Sequence, residues 1–283
     1  MKKRTNRRGY SLKAAQRTKS RKPSGKLNLR PLLYLAAATL VVFLSVRGVG
    51  LLAKSGYFTV KEPVITGNSK ISDEKIKLWS GLSAEKSIFK INLREVLENI
   101  KKTDYFETVK KGDDPDKLRI KKVTIRRSLP STIVIDVTER EPLAYTIING
   151  DPSWGIDAEG AVFPVRGGHE GDSLPVITGI DFSTEPPSQA AAKLARFRKF
   201  VENAGMIRYN SLSGMISEIN LEPSCDITLV TYPSGTKVFL NLDGGIPESI
   251  LKLRKIVELA NPAYAGSEYI DLRYDSIYYK SKI

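Results

Sequence analysis

The chain has 283 residues and a formal net charge of +14, with 45 Lys or Arg, 31 Asp or Glu, one His and one Cys. A hydrophobic content of 41% excludes wholesale disorder, and one Cys excludes an intramolecular disulfide or a Cys-rich zinc site. Residues 1–30 hold twelve bases and no acid and so supply +12 of this net charge, whereas residues 54–283 carry 32 bases and 31 acids. A basic groove for nucleic acid is therefore not expected in the folded part.

The first predicted element is a transmembrane helix at residues 31–53, behind a basic tail at 1–30. Leu32–Val46 contains no charge, and Arg47 is the one charge before Ala53, so the stretch reaches the ~20 residues that a bilayer requires. A cleaved signal peptide and a buried core helix are the alternatives, and the twelve bases in front favour an uncleaved anchor. The positive-inside rule then places the N-terminus in the cytoplasm and residues 54–283 outside it.

Residues 57–140 are predicted to contain a strand, two helices and two or three strands. An extended run from Phe58 ends at the turn Gly67-Asn68, and Ser72 and Asn92 are helix N-cap candidates. Phe106–Val109 is a possible further strand, followed by a polar loop. Alternating apolar residues predict strands at 118–126 and 133–138.

Residues 141–283 are predicted to contain short strands, tight turns and two amphipathic helices. The first helix runs from Pro187 to Gly205 with an apolar stripe at spacings of 4, 3 and 4, and the second starts near Gly245. The last predicted strand is continuous from Tyr269 to Tyr279. Its alternation places Tyr274 on the same face as two aliphatic residues, so a core position for Tyr274 is as well supported as an exposed one.

No residue pattern predicts catalysis. Cys225 and His169 are the available nucleophile and base, and neither lies in a strand–turn–helix nucleophile elbow. The acidic run 113–116 lacks the spacing of a calcium loop, and Asp157 and Glu159 flank a turn, which makes them a weak catalytic carboxylate pair. We therefore predict no enzymatic activity, no metal and no cofactor.

The chain nevertheless resembles bacterial cell-division proteins of the FtsQ/DivIB family from the membrane segment to Tyr278. Each motif is weak by itself, and their number and order make the resemblance specific. The motifs are Phe58-Thr-Val, Ile65-Thr-Gly-Asn68, Ile71-Ser, Arg126-Arg-Ser-Leu-Pro130, Val137-Thr-Glu-Arg-Glu-Pro142, Ile156-Asp-Ala-Glu-Gly-Ala-Val-Phe163, Leu174-Pro-Val-Ile-Thr-Gly179 and Ile270-Asp-Leu-Arg-Tyr274.

The resemblance implies an α+β fold with a POTRA domain (β-α-α-β-β) at 57–140 and a β domain at 141–283, built on a curved antiparallel sheet with flanking helices. It implies a non-enzymatic divisome scaffold in the cell inner membrane at the septum. The implied partners are FtsB- and FtsL-type coiled-coil proteins and, indirectly, the septal synthase pair FtsW/FtsI. A partner strand would add at the C-terminal strand, at Arg273, Tyr274 and Ser276. The family often has Gly where this chain has Ile277.

Three other functions are alternatives to the scaffold. A POTRA-bearing export or envelope-assembly component usually repeats the POTRA unit before a β-barrel, and neither feature is evident in the sequence. An anchored cell-wall enzyme requires an essential polar cluster, such as one containing Cys225 or His169. A nucleic-acid-binding tail would use the bases of residues 1–30, which anionic lipid explains equally well.

Overall fold

The structure is a computed structural model. It describes residues 29–54, 56–83, 86–101, 104–165, 173–222, 227–241, 246–258, 264 and 266–282. The chain divides into two compact units, Met1–Leu52 and Ala53–Ile283. The first contains most of helix α1 (Arg30–Lys54), in which Arg30–Leu51 is long and apolar enough to cross a membrane. The predicted apolar helix is thus confirmed in length and composition.

The second unit begins with a three-stranded sheet in the order β1-β3-β2, with β1 parallel and β2 antiparallel to β3. One core cluster lies between this sheet and two helices, and its fully buried members include Ile76, Ile100 and Ile135. The elements are β1 (Val64–Thr66), α2 (Asp73–Ser80), α3 (Leu93–Ile100), α4 (Tyr105–Lys111), a 3₁₀ helix (Pro115–Arg119), β2 (Ile120–Ser128) and β3 (Thr132–Glu139).

A nine-stranded sheet follows, in the order β12-β11-β10-β9-β8-β7-β4-β5-β6. Its helix-covered face buries a second core cluster that includes Phe197, Leu229 and Ile270. The elements are β4 (Ala144–Ile148), β5 (Asp151–Ile156), β6 (Val162–Pro164), β7 (Val176–Thr178), α5 (Pro187–Ala204), α6 (Met206–Ser213), β8 (Ile216–Asn220), β9 (Ile227–Thr231), β10 (Lys237–Leu240), α7 (Ile246–Glu258), β11 (Ser267–Asp271) and β12 (Tyr278–Ser281).

The α+β class is confirmed, but the large sheet is mixed rather than antiparallel. The pairs β4–β7, β7–β8 and β10–β11 are parallel. The chain makes helical crossovers through α5 and α6 between β7 and β8, and through α7 between β10 and β11. Such crossovers return the chain to the same end of the sheet, which makes the joined strands parallel.

The prediction of a possible strand at Phe106–Val109 was wrong, because this segment lies within helix α4. The Asp104 side chain accepts a hydrogen bond from the Glu107 N–H at 2.7 Å, and Gly112 ends the helix with φ 65°. Asp at the N-cap and Gly after the last turn are ordinary helix boundaries. Tyr105 of α4 is buried against Trp154 and Phe182 of the larger core, with ring centroids 5.2 and 5.7 Å apart.

The predicted continuous strand from Tyr269 to Tyr279 was also wrong. The chain leaves β11 after Asp271, bends, and returns as β12, which pairs antiparallel with β11. Tyr274 is 59% exposed on this bend, so the alternative that placed it in the core does not hold. The structure therefore has two antiparallel strands, β11 and β12, where the sequence pattern predicted one continuous strand.

Candidate partner-binding site

The exposed end of the large sheet consists of β12 and the bend 272–277, which we call the C-terminal edge. All four residues of β12 are exposed, and β12 is the outermost strand of the sheet. The Lys282 N–H donates to the Gly266 carbonyl oxygen at 3.0 Å, toward the neighbouring strand. Because successive N–H groups of a strand point to opposite edges, the Ser281 N–H is directed away from β11. This edge can therefore form main-chain hydrogen bonds with another strand.

Arg273 is held in place by the end of strand β11. Its Nε and Nη2 donate to the two carboxylate oxygens of Asp271 at 2.9 and 2.6 Å, and its backbone N–H donates to Asp271 Oδ1 at 3.0 Å. These hydrogen bonds from Arg273 hold the pKa of Asp271 below its ordinary value. The guanidinium also lies over the rings of Phe239 and Tyr274, 5.3 and 5.8 Å from their centroids. Arg273 therefore fixes the shape of the bend.

Helix α7 and the core hold the rest of the bend. Ser249 Oγ donates to the Leu272 carbonyl at 3.2 Å, and Lys252 Nζ donates to the Asp275 carbonyl at 3.1 Å. Ile277 is half-buried and packs against the larger core cluster. Its side chain thus has a packing role in the bend.

Three tyrosines form the exposed surface of the C-terminal edge. Tyr274, Tyr278 and Tyr279 are 59%, 58% and 48% exposed. The rings of Tyr274 and Tyr278 meet edge to face with centroids 5.8 Å apart, and Tyr279 meets Tyr264 at 5.2 Å. Aromatic side chains lose little conformational entropy on binding, which suits them to protein interfaces.

The structure brings the predicted residues Arg273 and Tyr274 together and leaves Ser276 exposed on the same bend. The sequence argument did not single out Tyr278 and Tyr279, although they lie on the edge strand itself. The sequence feature that could have identified them is the pair of adjacent aromatic residues near the end of an alternating run. Cys225 and His169 lie outside the described residues. Within the described ranges, no group of three or more His, Cys, Asp or Glu could hold a metal ion.

Two of the motifs have structural roles in the three-stranded sheet. Gly67 has φ 81°, and a Cβ there would come within 2.2 Å of the Val137 carbonyl oxygen, so this turn requires glycine. Glu139 Oε1 accepts the N–H groups of Ser69, Lys70 and Ile71 at 2.7, 2.9 and 3.0 Å. These residues fix the turn after β1 against β3.

Comparison with known proteins identifies similar chains. Residues 147–273 match the family model described as cell division protein FtsQ/DivIB, C-terminal. The chain is 27% identical over 238 residues to a cell division protein DivIB of Clostridium botulinum (strain Hall), covering 83% of this chain and 86% of that protein.

Two proteins named cell division protein FtsQ are also similar. The match to that of Geotalea daltonii is 26% identical over 251 residues, covering 85% of this chain and 82% of the relative. The match to that of Geobacter sp. (strain M21) is 29% identical over 212 residues and covers 72% and 69%. The resemblance derived from the motifs is confirmed.

Proposed function

We propose that this chain, like the similar proteins named cell division protein FtsQ or DivIB, has a role in cell division, as a non-enzymatic scaffold of the divisome. Helix α1 anchors it in the cell membrane, with the N-terminus in the cytoplasm and residues 54–283 on the other side, at the division septum. It binds FtsB- and FtsL-type coiled-coil proteins and through them helps to control septal peptidoglycan synthesis by the FtsW/FtsI pair. The similar proteins and the apolar helix support this proposal.

We further propose that residues 57–140 form a POTRA domain and residues 141–283 a β domain. Two observations support this domain boundary. The elements before it begin in the order strand, helix, helix, and the three-stranded sheet has a core cluster of its own. Tyr105 and Leu118 belong to the larger cluster, so α4 and the 3₁₀ helix pack against the β domain. The proposed domains therefore share an apolar contact.

The observation that carries the proposed binding mode is the open edge of β12. Strand addition uses the main-chain donors and acceptors of an exposed edge for affinity, and side chains beside it for specificity. Here strand β12 is four residues long, and all four residues are exposed. An added strand would extend the nine-stranded sheet without rearranging its core.

The tyrosines beside β12 suggest the chemistry of the partner strand. Asp271 pairs with Tyr278, and Ile270 pairs with Tyr279, so the two rings lie on opposite faces of the sheet. A partner strand with apolar residues on both faces would bury Tyr278 on one side and Tyr279 on the other. Tyr274 and Ser276 then contact the end of that strand, and Arg273 holds the bend in position.

The test is capture of partners from gently solubilised membranes, with the intact chain and with Ser281→Pro. Proline removes the outward N–H, and the exposed edge tolerates it because no inward hydrogen bond is lost. Since one hydrogen bond contributes about 1 kcal/mol, we expect recovery of FtsB- and FtsL-type proteins to fall about fivefold or more. Mass spectrometry identifies and quantifies the recovered proteins.

Ser281→Thr is the matched control, because it keeps the N–H and has a higher strand propensity. It should recover partners as well as the intact chain does. Equal recovery by Ser281→Pro would show that strand addition at β12 is wrong while the scaffold role stands. Failure of the folded, inserted intact chain to recover any division protein would contradict the scaffold proposal itself.

A further inference from the structure

A groove of about 1130 Å³ lies between helix α4 and the first three turns of helix α5, at the β6 end of the large sheet. We call it the α4–α5 groove. Phe106 and Val109 belong to its α4 wall, Ala191 and Leu194 to its α5 wall, and Val162 of β6 lies at its base. Val109 is 55% exposed. A large concave surface lined mainly by apolar side chains is typical of a binding site.

Helix α5 has a second apolar face, which lines the groove rather than the core. Phe197 and Val201 belong to its core face and are buried. Ala191, Leu194 and Ala195 line the groove, and the two alanines are exposed. Their spacing of three and four residues places them on one side of the helix. A surface helix ordinarily needs one apolar face, so the second face indicates a further contact.

Separate contacts fix the two walls of the groove. Near the start of α5, the ring of Phe106 lies beside that of Phe182, with centroids 6.2 Å apart. About two turns further along α5, Gly160 approaches the helix so closely that a Cβ at this position would lie 3.3 Å from the Leu194 carbonyl oxygen. The groove is therefore preformed and does not require a partner to open it.

The apolar walls can be buried only by another molecule. Residues 102–103 and 166–172 are the segments outside the described ranges that stand closest in sequence to α4 and β6, and they contain no apolar side chain. They offer nothing to bury against Val109 or Ala191. The apolar surface therefore fits a partner from outside this chain.

Main-chain hydrogen bonding favours a helix as that partner. Both walls are helices, whose backbone groups bond internally, and β6 lies against the 3₁₀ helix. An extended segment in the groove would leave its own N–H and C=O groups unpaired, whereas a helix pairs them within itself. A helix about 10 Å across with a rise of about 1.5 Å occupies about 120 Å³ per residue, so the groove accommodates about nine residues.

Charges on the rim select the polar residues of the partner. The charged lining residues that are engaged within the chain are Asp104, which caps α4, and Glu107, Arg140 and Glu159, which pair with Lys111, Asp157 and Lys121. The other two are bases on opposite walls, Lys110 and Arg198, and both are exposed. Arg198 lies 3.6 Å from Glu202 one turn along α5, in an exposed pair that a carboxylate of the partner can replace at little cost.

We propose that the α4–α5 groove binds an amphipathic helix of a partner protein, about nine residues long, with apolar residues at i, i+3, i+4 and i+7 and with Asp or Glu on both flanks. The apolar residues pack against Val109, Ala191 and Leu194, and the acids lie beside Lys110 and Arg198. This contact goes beyond strand addition at β12, because the groove is at the opposite end of the large sheet. The two binding modes can therefore fail independently.

Site-specific photocrosslinking of the full chain, in cells that naturally contain it, tests the groove. An amino acid with a diazirine group replaces Ala191, which lines the groove, or Ala192, an exposed neighbour on α5 outside the lining. We expect a crosslinked protein at position 191 and loss of that product at position 192. Mass spectrometry of the product should locate the crosslink in a segment with helical spacing of apolar residues and acids on both flanks.

Charge reversal tests the rim. Lys110→Glu combined with Arg198→Glu should reduce the product at position 191 about fivefold or more, because both flanks of the partner helix then meet like charges. Lys90→Glu combined with Lys255→Glu is the matched control, at two exposed lysines outside the groove, and should leave the product unchanged.

Four outcomes would overturn the proposal. Equal products at positions 191 and 192 would show that the groove is not the contact. A crosslink to a second copy of this chain, or to a segment without the helical pattern, would show that the occupant is wrong. An unchanged product after reversal of Lys110 and Arg198 would show that acidic flanks do not recognise the rim.

Discussion

The two ends of the nine-stranded sheet are built in different ways. At the C-terminal end, β12 is exposed along its whole length and is bordered by tyrosines. At the other end, β6 lies against the 3₁₀ helix, and Arg119 Nη1 donates to the Pro164 carbonyl at 2.9 Å. An unpaired strand edge can bind another strand, and proteins commonly cover the edges that are not used. Within the described residues, the C-terminal end is therefore open to another strand, whereas the β6 end is covered.

Ionic contacts hold the covered end. Arg140 donates to the Asp157 carboxylate, which also accepts the Ala161 N–H at 2.8 Å. Lys121 pairs with Glu159 at 2.8 Å in a more exposed position. Both pairs join the β2–β3 region to the turn between β5 and β6, so they differ mainly in burial.

The largest expected effect is that of Arg140→Met. This change leaves the buried Asp157 carboxylate without its cation, and breaking a buried pair by removing one partner costs about 3 kcal/mol. Lys121→Met is the matched control, because the loss of an exposed pair costs less than about 1 kcal/mol. Urea unfolding of the full chain in detergent, followed by tryptophan fluorescence, measures both. Equal destabilisation by the two variants would contradict the importance of burial at this end.

A second prediction concerns acid stability at Glu139. Burial acts to raise the pKa of Glu139, but the N–H groups of Ser69, Ile71 and Lys70, together with Arg119, bring the pKa below its ordinary value. A carboxyl group with a lowered pKa stabilises the fold above its unfolded-state pKa, and this contribution is lost as the pH falls through the folded-state pKa. The intact chain should therefore lose stability as the pH falls below about 4.5.

Glu139→Gln should be less stable than the intact chain at pH 7 and lose less further stability in acid. Melting temperatures of the two chains between pH 7 and pH 3 give the comparison. The control is Glu62→Gln, since the Glu62 side chain is 85% exposed and pairs with Lys77 at the surface. If Glu139→Gln followed the same pH curve as the intact chain, the carboxylate would not contribute to the acid sensitivity.

The sequence predicted the elements whose boundaries are set locally. Asn92 caps α3 through a hydrogen bond from the Arg94 N–H at 3.1 Å, and α5 begins at Pro187 as its apolar stripe indicated. Helix α4 also had a local signal, with Asp104 as its cap and Gly112 after it. The β-prone residues at 106–109 outweighed that signal, because the burial of Tyr105 against a distant core cannot be read from a short window.

The candidate site was predictable in position but not in shape. Ile270 and Leu272 alternate as a strand should, and both are buried. The bend that follows these two residues depends on tertiary contacts. These are the hydrogen bonds from Arg273 to Asp271 and the hydrogen bonds from α7 to the bend. Sequence periodicity contains no information about such contacts. It therefore extended one strand across the bend and did not single out Tyr278 and Tyr279 on the edge.

The smallest expected effect is at the open end itself. Lys280 pairs with Glu268 across β12 and β11 at 2.8 Å, and the two side chains are 53% and 52% exposed. The hydrogen bond from Lys280 lowers the pKa of Glu268, but an exposed pair is screened by solvent and salt. Lys280→Gln should therefore leave the melting temperature of the full chain unchanged. Strand β12 itself is held by its backbone ladder to β11, and the ionic contact between Arg273 and Asp271 lies in the bend before it. A melting-temperature loss for Lys280→Gln as large as that of Arg140→Met would therefore contradict the distinction between the two ends.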